Sequence, residues 1–128
     1  MGTRTRRLHR FDRYDRPTDL APWHAMALAS IVGPGEEYVL GIDCADYWLF
    51  GRWGTKLVLT DERVVAFAAD PAGPMKRSHR LEEIAEVAYD RGLVAAELRF
   101  LGADFLETYP VPRRLGREFA DAVRSRLD

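Results

Sequence analysis

Histidine and cysteine are the side chains that most often bind transition metals or act as nucleophiles and bases, and this sequence has three of the first and one of the second. His9, His24 and His79 are far apart, and no His-x-x-x-His or Cys-x-x-Cys spacing occurs. Ser78 directly precedes His79, but neighbours on a strand point to opposite faces and cannot form a nucleophile and base pair. These residues therefore predict neither a metal site nor a catalytic pair.

The glycine-rich and acidic motifs do not indicate a cofactor. Gly33-Pro34-Gly35 lacks the third glycine and the preceding strand of a dinucleotide fingerprint, and no phosphate-binding Gly-Lys-Ser or Gly-Lys-Thr loop occurs. The acidic run around Glu82 has no second acid at hydrolase or calcium-loop spacing and is typical of a solvated turn. We predict a non-enzymatic protein without a cofactor. An enzyme site would have to be assembled from residues distant in sequence, the candidates being His79, Glu82, Glu86, Asp43, Asp46 and Cys44.

An aromatic segment, Asp46–Gly54, is the strongest candidate for binding. In one interpretation Trp48 and Phe50 point inward on a strand extension. In the other the segment is an exposed surface for a partner protein or a membrane, because monomers seldom leave such patches uncovered. The exposure of the segment decides between them. Its candidate binding residues are Tyr47, Trp48, Phe50, Arg52 and Trp53.

Residues 1–17 are rich in arginine and form a second candidate site. Their composition cannot bury enough apolar area to offset the entropy of ordering, which predicts a flexible basic arm. The arm is either a solvated tail, partly neutralised by Asp12 and Asp15, or a contact for phosphate, anionic lipid or an acidic protein surface. The candidate contacts are Arg4, Arg6, Arg7 and Arg10.

Length and charge limit the class of protein. The 128 residues, 47% of them hydrophobic, suffice for one domain over residues 18–128. The formal net charge of -1 gives no global field toward nucleic acid or an anionic membrane, so we predict no specific nucleic-acid recognition. Arg6-Arg7 superficially resembles a twin-arginine signal, but no apolar segment follows directly, and Trp23–Val32 is too short to span a bilayer. With a single cysteine, Cys44, these features predict a cytoplasmic protein, with peripheral contact to the membrane left open.

Periodicity predicts two helices around a β core. Residues 18–32 have the spacing of an amphipathic helix, with Thr18 or Asp19 as its cap. Residues 112–128 have the same spacing and predict a C-terminal helix that packs through Leu115, Phe119, Val123 and Leu127. Residues 36–110 predict strands at Glu37–Cys44, Thr55–Thr60, Val64–Ala69, Met75–Arg80, Ala85–Tyr89, Val94–Phe100 and Phe105–Tyr109. Turns are predicted at Thr60–Arg63, Asp70–Pro74, Asp90–Gly92 and Leu101–Asp104.

The strand-turn-strand sequence LVLTDERVVAF at 57–67, with GEEYVL at 35–40 and LEEIAEV at 81–87, resembles bacterial pleckstrin-homology-like domains of the YokE-like kind and the related GRAM domains. The resemblance covers roughly the last three quarters of the chain. It implies two packed antiparallel sheets of about seven strands with a capping C-terminal helix, a scaffold used for binding. The first hairpin offers only Arg52 and Lys56, unlike the basic hairpin of phosphoinositide-binding pleckstrin domains.

The expected function is therefore a protein-interaction module that binds another protein or a second copy of itself. The alternative is a peripheral membrane binder that uses the aromatic segment and the arginine-rich arm. Arg63, at the end of the Thr60–Arg63 turn, is expected to support the fold, with its guanidinium on a carboxylate or a carbonyl.

Overall fold

The structure is a computed structural model, and it describes residues 11–45, 54–68 and 75–127. Within these ranges the chain forms two α-helices, α1 (Pro22–Ala29) and α2 (Arg113–Arg124), and two short 3-10 turns, Pro17–Asp19 and Leu81–Glu83. The strands are β1 (Arg13–Tyr14), β2 (Tyr38–Asp43), β3 (Lys56–Thr60), β4 (Arg63–Ala68), β5 (Met75–Arg80), β6 (Glu86–Arg91), β7 (Ala96–Leu101) and β8 (Leu106–Val111).

The strands form two antiparallel sheets. The first has the order β1-β2-β3-β4-β5 and the second the order β6-β7-β8. Each neighbouring pair runs antiparallel, from the β1 and β2 pair to the β7 and β8 pair. The predicted arrangement of two antiparallel sheets with an N-terminal and a C-terminal helix is confirmed, and each predicted strand has a counterpart.

Residues 13–14 correct the prediction of a flexible arm over residues 1–17, because Arg13–Tyr14 pairs with β2. The Asp12 amide donates to the Asp43 carboxylate over 2.8 Å, and the Tyr38 hydroxyl donates to the carbonyl of Tyr14 over 2.8 Å. A Cβ atom at Gly41 would lie 2.5 Å from that hydroxyl, so glycine leaves the space that this contact needs. Backbone pairing and buried polar groups hold the segment, and a composition argument does not detect either.

The main core lies between the inner faces of the two sheets and α2. Helix α2 contacts β2, β6 and β7, and its buried residues recur at the predicted spacing. Its largest buried side chain, Phe119, meets Phe100 of β7 with 6.4 Å between the ring centroids. The helix therefore closes the core as predicted, although it ends at Arg124. Buried members of this core include Leu40, Ile42, Leu57, Leu59, Leu98, Phe100, Val111, Leu115, Phe119 and Val123.

Helix α1 covers the outer face of the first sheet. Leu20 and Leu28 pack there against Val58, Val65 and Phe67, which form a second apolar cluster. The helix is shorter than the predicted 18–32, because Pro22 occupies its first turn and fixes its start there.

The predicted cap of α1 at Thr18 or Asp19 is wrong. The Asp19 carboxylate accepts from the amides of Asp15 and Arg16, each over 3.2 Å, which precede the helix. It therefore stabilises the 3-10 turn in front of α1.

The turn between β6 and β7 lies later than predicted. Asp90 and Arg91, assigned to a turn over Asp90–Gly92, still pair with Glu97 and Ala96 as strand residues. The chain reverses over residues 92–95, where the Gly92 amide donates to the Ala95 carbonyl over 3.0 Å. Val94, predicted to begin a strand, therefore belongs to this turn. The predicted turn over Asp70–Pro74 lies in a stretch that the structure does not describe.

The Thr60–Arg63 turn has the predicted chemistry. The Thr60 hydroxyl accepts from the amides of Glu62 and Arg63 at 3.1 and 3.0 Å and donates to Glu36 at 2.5 Å. The Arg63 Nε atom contacts the same Glu36 carboxylate at 2.8 Å. Burial raises the pKa of Glu36, but the hydrogen bonds from Thr60 and Gly33 and the charge of Arg63 outweigh it and hold that pKa below its ordinary value.

An Arg63→Ala variant is expected to lose about 1 kcal/mol of unfolding free energy. The variant leaves the Glu36 carboxylate, whose side chain is 1% exposed, without its counter-charge. Urea unfolding measures the loss, and Arg114→Ala is the control because Arg114 is 84% exposed. Partner binding of the folded variant is expected to stay unchanged. Lost binding at full stability would place Arg63 in a site instead.

Candidate functional site

The binding residues predicted from the sequence lie outside the described ranges. They are Tyr47, Trp48, Phe50, Arg52, Trp53, Arg4, Arg6, Arg7 and Arg10. Of the arginine-rich segment the structure places Arg13, whose guanidinium bonds to Asp15 and to Glu118 of α2, both at 2.7 Å. These hydrogen bonds raise the pKa of Arg13. Arg13 therefore ties the segment to α2.

The described chain on either side of the aromatic segment is buried. The described chain stops at Cys44 and Ala45, just before the segment. It resumes at Gly54, the last residue of the segment, and Thr55. The Cys44 amide donates to the Thr55 carbonyl over 2.9 Å, and the Ala45 amide donates to the Pro110 carbonyl of β8 over 2.7 Å. The second of these bonds links the first sheet to the second. The two flanks of the aromatic segment are thus part of the rigid framework.

A buried polar cluster lies on the outer face of the first sheet, next to these flanks. The Lys56 Nζ atom is 2.9 Å from Asp43 Oδ1, and the two side chains are only 4% and 2% exposed. The Tyr14 hydroxyl donates to the same oxygen over 2.8 Å, and the Asp12 amide donates to Asp43 Oδ2. Because the carboxylate accepts three donors, the cluster has the contacts that a buried ion pair needs for stability. It holds the N-terminal segment against the sheet.

His24 of α1 borders this cluster and is 4% exposed. Its ring stacks on Trp23 with centroids 4.8 Å apart and meets the edge of Phe67 at 6.0 Å. Its Nε2 atom is buried and has no hydrogen-bond partner within the described residues. Burial, with the nearby charge of Lys56, lowers the pKa of His24 to about 4. His24 is therefore neutral at physiological pH and apolar in its contacts.

A second polar cluster bridges the two sheets between β5 and β8. The Glu107 carboxylate lies 3.4 Å from both Arg77 and His79, and the Tyr109 hydroxyl contacts it at 3.3 Å. His79 also stacks on Phe105 with 3.7 Å between ring centroids. Burial and the neighbouring Glu107 charge raise the pKa of Tyr109, so its hydroxyl stays protonated and can donate. These contacts hold β5 against the second sheet.

The candidates for an enzyme site are not brought together. Asp43 lies on the outer face, Cys44 is buried in the main core, and His79 lies in the bridge between the sheets. Glu82 and Glu86 are exposed, and Asp46 lies outside the described residues. Among the residues that the structure does describe, no group of three or more His, Cys, Asp or Glu side chains could hold a metal ion.

A cleft lies where the Thr60–Arg63 turn meets the C-terminal end of α2. Its volume is about 460 Å³, and Glu82 is the one enzyme candidate that contributes to its wall. The wall combines acidic and basic side chains with apolar ones and has no histidine or cysteine. Its lining consists of Asp61, Glu62, Arg80, Leu81, Glu82, Ile84, Arg126 and Leu127.

Among the described strands, β5 is an edge of the first sheet, with β4 on one side. The Leu81 amide donates to the Glu62 carbonyl over 2.9 Å. Because every second residue pair of an antiparallel ladder is hydrogen-bonded, this bond determines which residues of β5 bond to β4. In an antiparallel pair with this register, the backbone groups of Lys76, Ser78 and Arg80 point away from β4. The Arg80 amide already donates to the Glu83 carboxylate over 3.1 Å. Lys76 and Ser78 thus direct backbone donors and acceptors toward the side of β5 on which the structure describes no further strand.

The sequence predicted the bounds of β5 correctly but not its position at an edge, which depends on the order of the strands. Its composition was the available signal, because three of its six side chains are Lys or Arg and none is acidic. Basic residues are typical of edge strands.

No helix in the described parts of the chain has the length and apolar character that crossing a membrane requires. The longer of the two, α2, has 12 residues and a polar outer face.

Comparison with solved structures identifies a similar fold. The crystal structure of a DUF1696 family protein with a pleckstrin-homology domain from Shewanella loihica PV-4, at 2.00 Å resolution, matches this chain with a TM-score of 0.59. The sequences are 13% identical, and the match covers 80% of this chain and 89% of the other. No protein-family model and no curated protein matches the sequence. The chain therefore has a pleckstrin-homology-like fold, as its resemblance implied, with an N-terminal helix added.

Proposed function

We propose that this chain is a non-catalytic protein-interaction module whose β5 edge accepts an extended, acidic segment of a partner protein. The observation that carries the proposal is the exposed, basic β5 strand at the end of a five-stranded sheet. An extended segment can add to such an edge as a further strand. Backbone hydrogen bonds then supply affinity, and side chains supply specificity.

The charges of β5 favour an acidic partner segment. Arg77 and Arg80 contact Glu107 and Glu82 only at 3.4 and 3.5 Å, and both arginine side chains are at least half exposed. Lys76 contacts the Ser30 hydroxyl at 2.8 Å. Pairing β5 with the β5 of a second copy would set basic side chains opposite basic side chains, which is unfavourable. An acidic segment would set opposite charges there.

The other sheet edges offer less room for an added strand. On β6, the Arg124 guanidinium donates to the Val87 carbonyl over 3.1 Å, so this acceptor is already bonded. On β8, Pro110 has no amide hydrogen, and its carbonyl already accepts from Ala45. Strand β1 has two residues. Within the described chain, β5 is therefore the edge best suited to a partner segment.

Several finer predictions belong with this proposal. The assignment to the YokE-like kind is supported by the motif around Thr60 and Arg63. A cytoplasmic location is supported by the single cysteine of the sequence, Cys44, whose buried side chain suits a reducing compartment. Self-association through Tyr47–Trp53 is a second form of the protein-interaction function.

A peripheral membrane binder is the second candidate function, and the exposed Leu93 and Val94 side chains favour it.

The β5 proposal predicts that the wild-type protein binds a short fluorescent peptide in which glutamate alternates with valine. Fluorescence anisotropy is expected to show affinity lowered roughly tenfold by Ser78→Pro, which removes an outward amide, and by Lys76→Glu, which reverses a charge. Proline is tolerated on an edge strand where its nitrogen faces solvent, and thermal unfolding checks that the variant is folded. Arg117→Glu on α2 is the control, because Arg117 is exposed away from β5.

A peptide in which lysine replaces glutamate is expected not to bind. Equal affinity of the wild type and a folded Ser78→Pro variant would contradict the β5 site. Light scattering of the same proteins tests the alternative partner. A mass that rises with concentration, and is restored to that of a monomer by Trp48→Ala or Trp53→Ala, would instead assign the contact to a second copy through the aromatic segment.

A further inference from the structure

The turn between β6 and β7 exposes two adjacent aliphatic side chains. Leu93 is 92% exposed and Val94 is 93% exposed, the highest values among the large hydrophobic residues that the structure describes. The bond from the Gly92 amide to the Ala95 carbonyl closes the turn and holds both side chains at its tip. Exposed apolar side chains are common singly, but a pair at a protruding tip is typical of an interaction site.

The charges beside the turn balance, because Asp90 and Glu97 stand against Arg91 and Arg99. Arg99 bonds to Asp90 at 2.5 Å and to Glu97 at 2.9 Å, which neutralises one of the two acids beside the turn. Arg91 is exposed directly beside Gly92.

The start of α2 adds two more arginines nearby. The Tyr89 hydroxyl, on β6, donates to the Arg113 carbonyl over 2.7 Å, which places the first turn of α2 beside the hairpin. Arg114 follows and is 84% exposed. An apolar tip with basic residues behind it has the distribution of groups that suits an anionic lipid surface.

We propose that the tip formed by Leu93 and Val94 inserts into the interface of an anionic lipid bilayer while Arg91 contacts the head groups. A bilayer suits this tip better than a protein partner, because a stable protein interface buries about 800 Å² on each side. Two side chains on a narrow hairpin cannot supply that area, whereas an interfacial lipid layer can surround them. This inference rests on the second candidate function, and it does not depend on β5.

The tip lies at the same end of the sandwich as the end of β2. Pro110 of β8 pairs with Glu97, and Glu97 pairs with Asp90 beside the turn. Because neighbouring strands are about 4.8 Å apart, the Ala45 end of β2, which bonds to Pro110, lies at the same end of the sandwich as the tip. The β7 and β8 turn lies at the opposite end of the second sheet, where Leu101 pairs with Leu106.

Co-sedimentation with sucrose-loaded vesicles tests the proposal. Wild-type protein is expected to bind vesicles of phosphatidylcholine mixed with phosphatidylglycerol, and to bind less at high salt and to phosphatidylcholine alone. A Leu93→Ser and Val94→Ser double variant is expected to lose roughly tenfold in binding, and Arg91→Glu to lose binding to the anionic vesicles. Leu106→Ser is the matched control, because Leu106 is also exposed, at 61%, but at the opposite end.

Two results would overturn the proposal. One is no binding of the wild type to either vesicle, and the other is equal binding of the wild type and the double variant. Both substituted residues are exposed, so the variant is expected to keep its thermal stability. It is also expected to keep any affinity for the acidic peptide, so the outcome at the tip can be told apart from the outcome at β5.

Discussion

Replacing Asp43 with alanine is expected to lower the free energy of unfolding by about 3–5 kcal/mol, because it removes the carboxylate that pairs with a buried, charged lysine. Lys56 is 4% exposed and its Nζ atom lies 2.9 Å from the Asp43 carboxylate. The same substitution removes the acceptor of the Tyr14 hydroxyl and of the Asp12 amide. The loss therefore extends from one ion pair to the attachment of β1.

Urea unfolding at neutral pH measures this effect. The control is Asp121→Ala, which breaks an exposed pair with Arg124 and is expected to change stability by less than about 1 kcal/mol. A double variant, Asp43→Leu with Lys56→Met, removes both charges and is expected to recover much of the loss, since apolar replacements of buried pairs are often neutral. A loss below about 1 kcal/mol for Asp43→Ala would show that the pair is not desolvated as the geometry indicates.

The strands and α2 could be predicted because their signals are local. Apolar residues recur in β3 and β4 with turn residues between them, and β5 was predicted with its observed bounds, Met75–Arg80. The burial of Leu115, Phe119 and Val123 follows from their spacing of four residues. In each case the pattern within about ten residues determines the element, whatever the strand order.

The features that the sequence did not reveal depend on contacts between distant residues. The Asp12 and Asp43 contact joins residues 31 apart, so composition alone assigned β1 to a flexible arm. Lys56 and Asp43 face each other only because β2 and β3 pair in one register. Their charges, read singly, gave no indication that both would be buried.

The candidate binding sites also depend on contacts between residues that are distant in the sequence. β5 is an edge only in the strand order of the folded sheet, which no short pattern contains. The exposure of Leu93 and Val94 was missed because an apolar run after Gly92 also fits a buried strand. The turn lies two residues further along the chain than predicted, and that shift is sufficient to expose both side chains.

The stability of the protein is expected to fall as the pH is lowered from about 6.5 to about 4, because His24 is protonated in the unfolded chain before it is protonated in the folded one. Its ordinary pKa of 6.5 falls to about 4 in the fold. Between these values the unfolded state binds a proton that the folded state excludes, so the free energy of unfolding decreases. The gap between the two pKa values corresponds to about 3 kcal/mol, fully lost below pH 4.

The structural cause is the burial of His24, which the nearby charge of Asp43 offsets only in part. Burial is the main reason for its low pKa, the charge of Lys56 adds to it, and the charge of Asp43 opposes it. A proton on Nε2 would find no acceptor within the described residues. The imidazolium would also lie against the apolar ring of Phe67, where a charge is poorly solvated.

Urea unfolding of the wild type and of His24→Leu at pH 7 and pH 4.5 isolates this contribution, because carboxylates that titrate in the same range are common to both proteins. The variant is expected to lose less stability than the wild type between the two pH values, by about 2–3 kcal/mol. His79→Gln serves as the control, because His79 is more exposed than His24 and lies beside the Glu107 carboxylate. An equal pH dependence in His24→Leu and the wild type would mean that His24 is already protonated, or already accessible to water, in the folded protein.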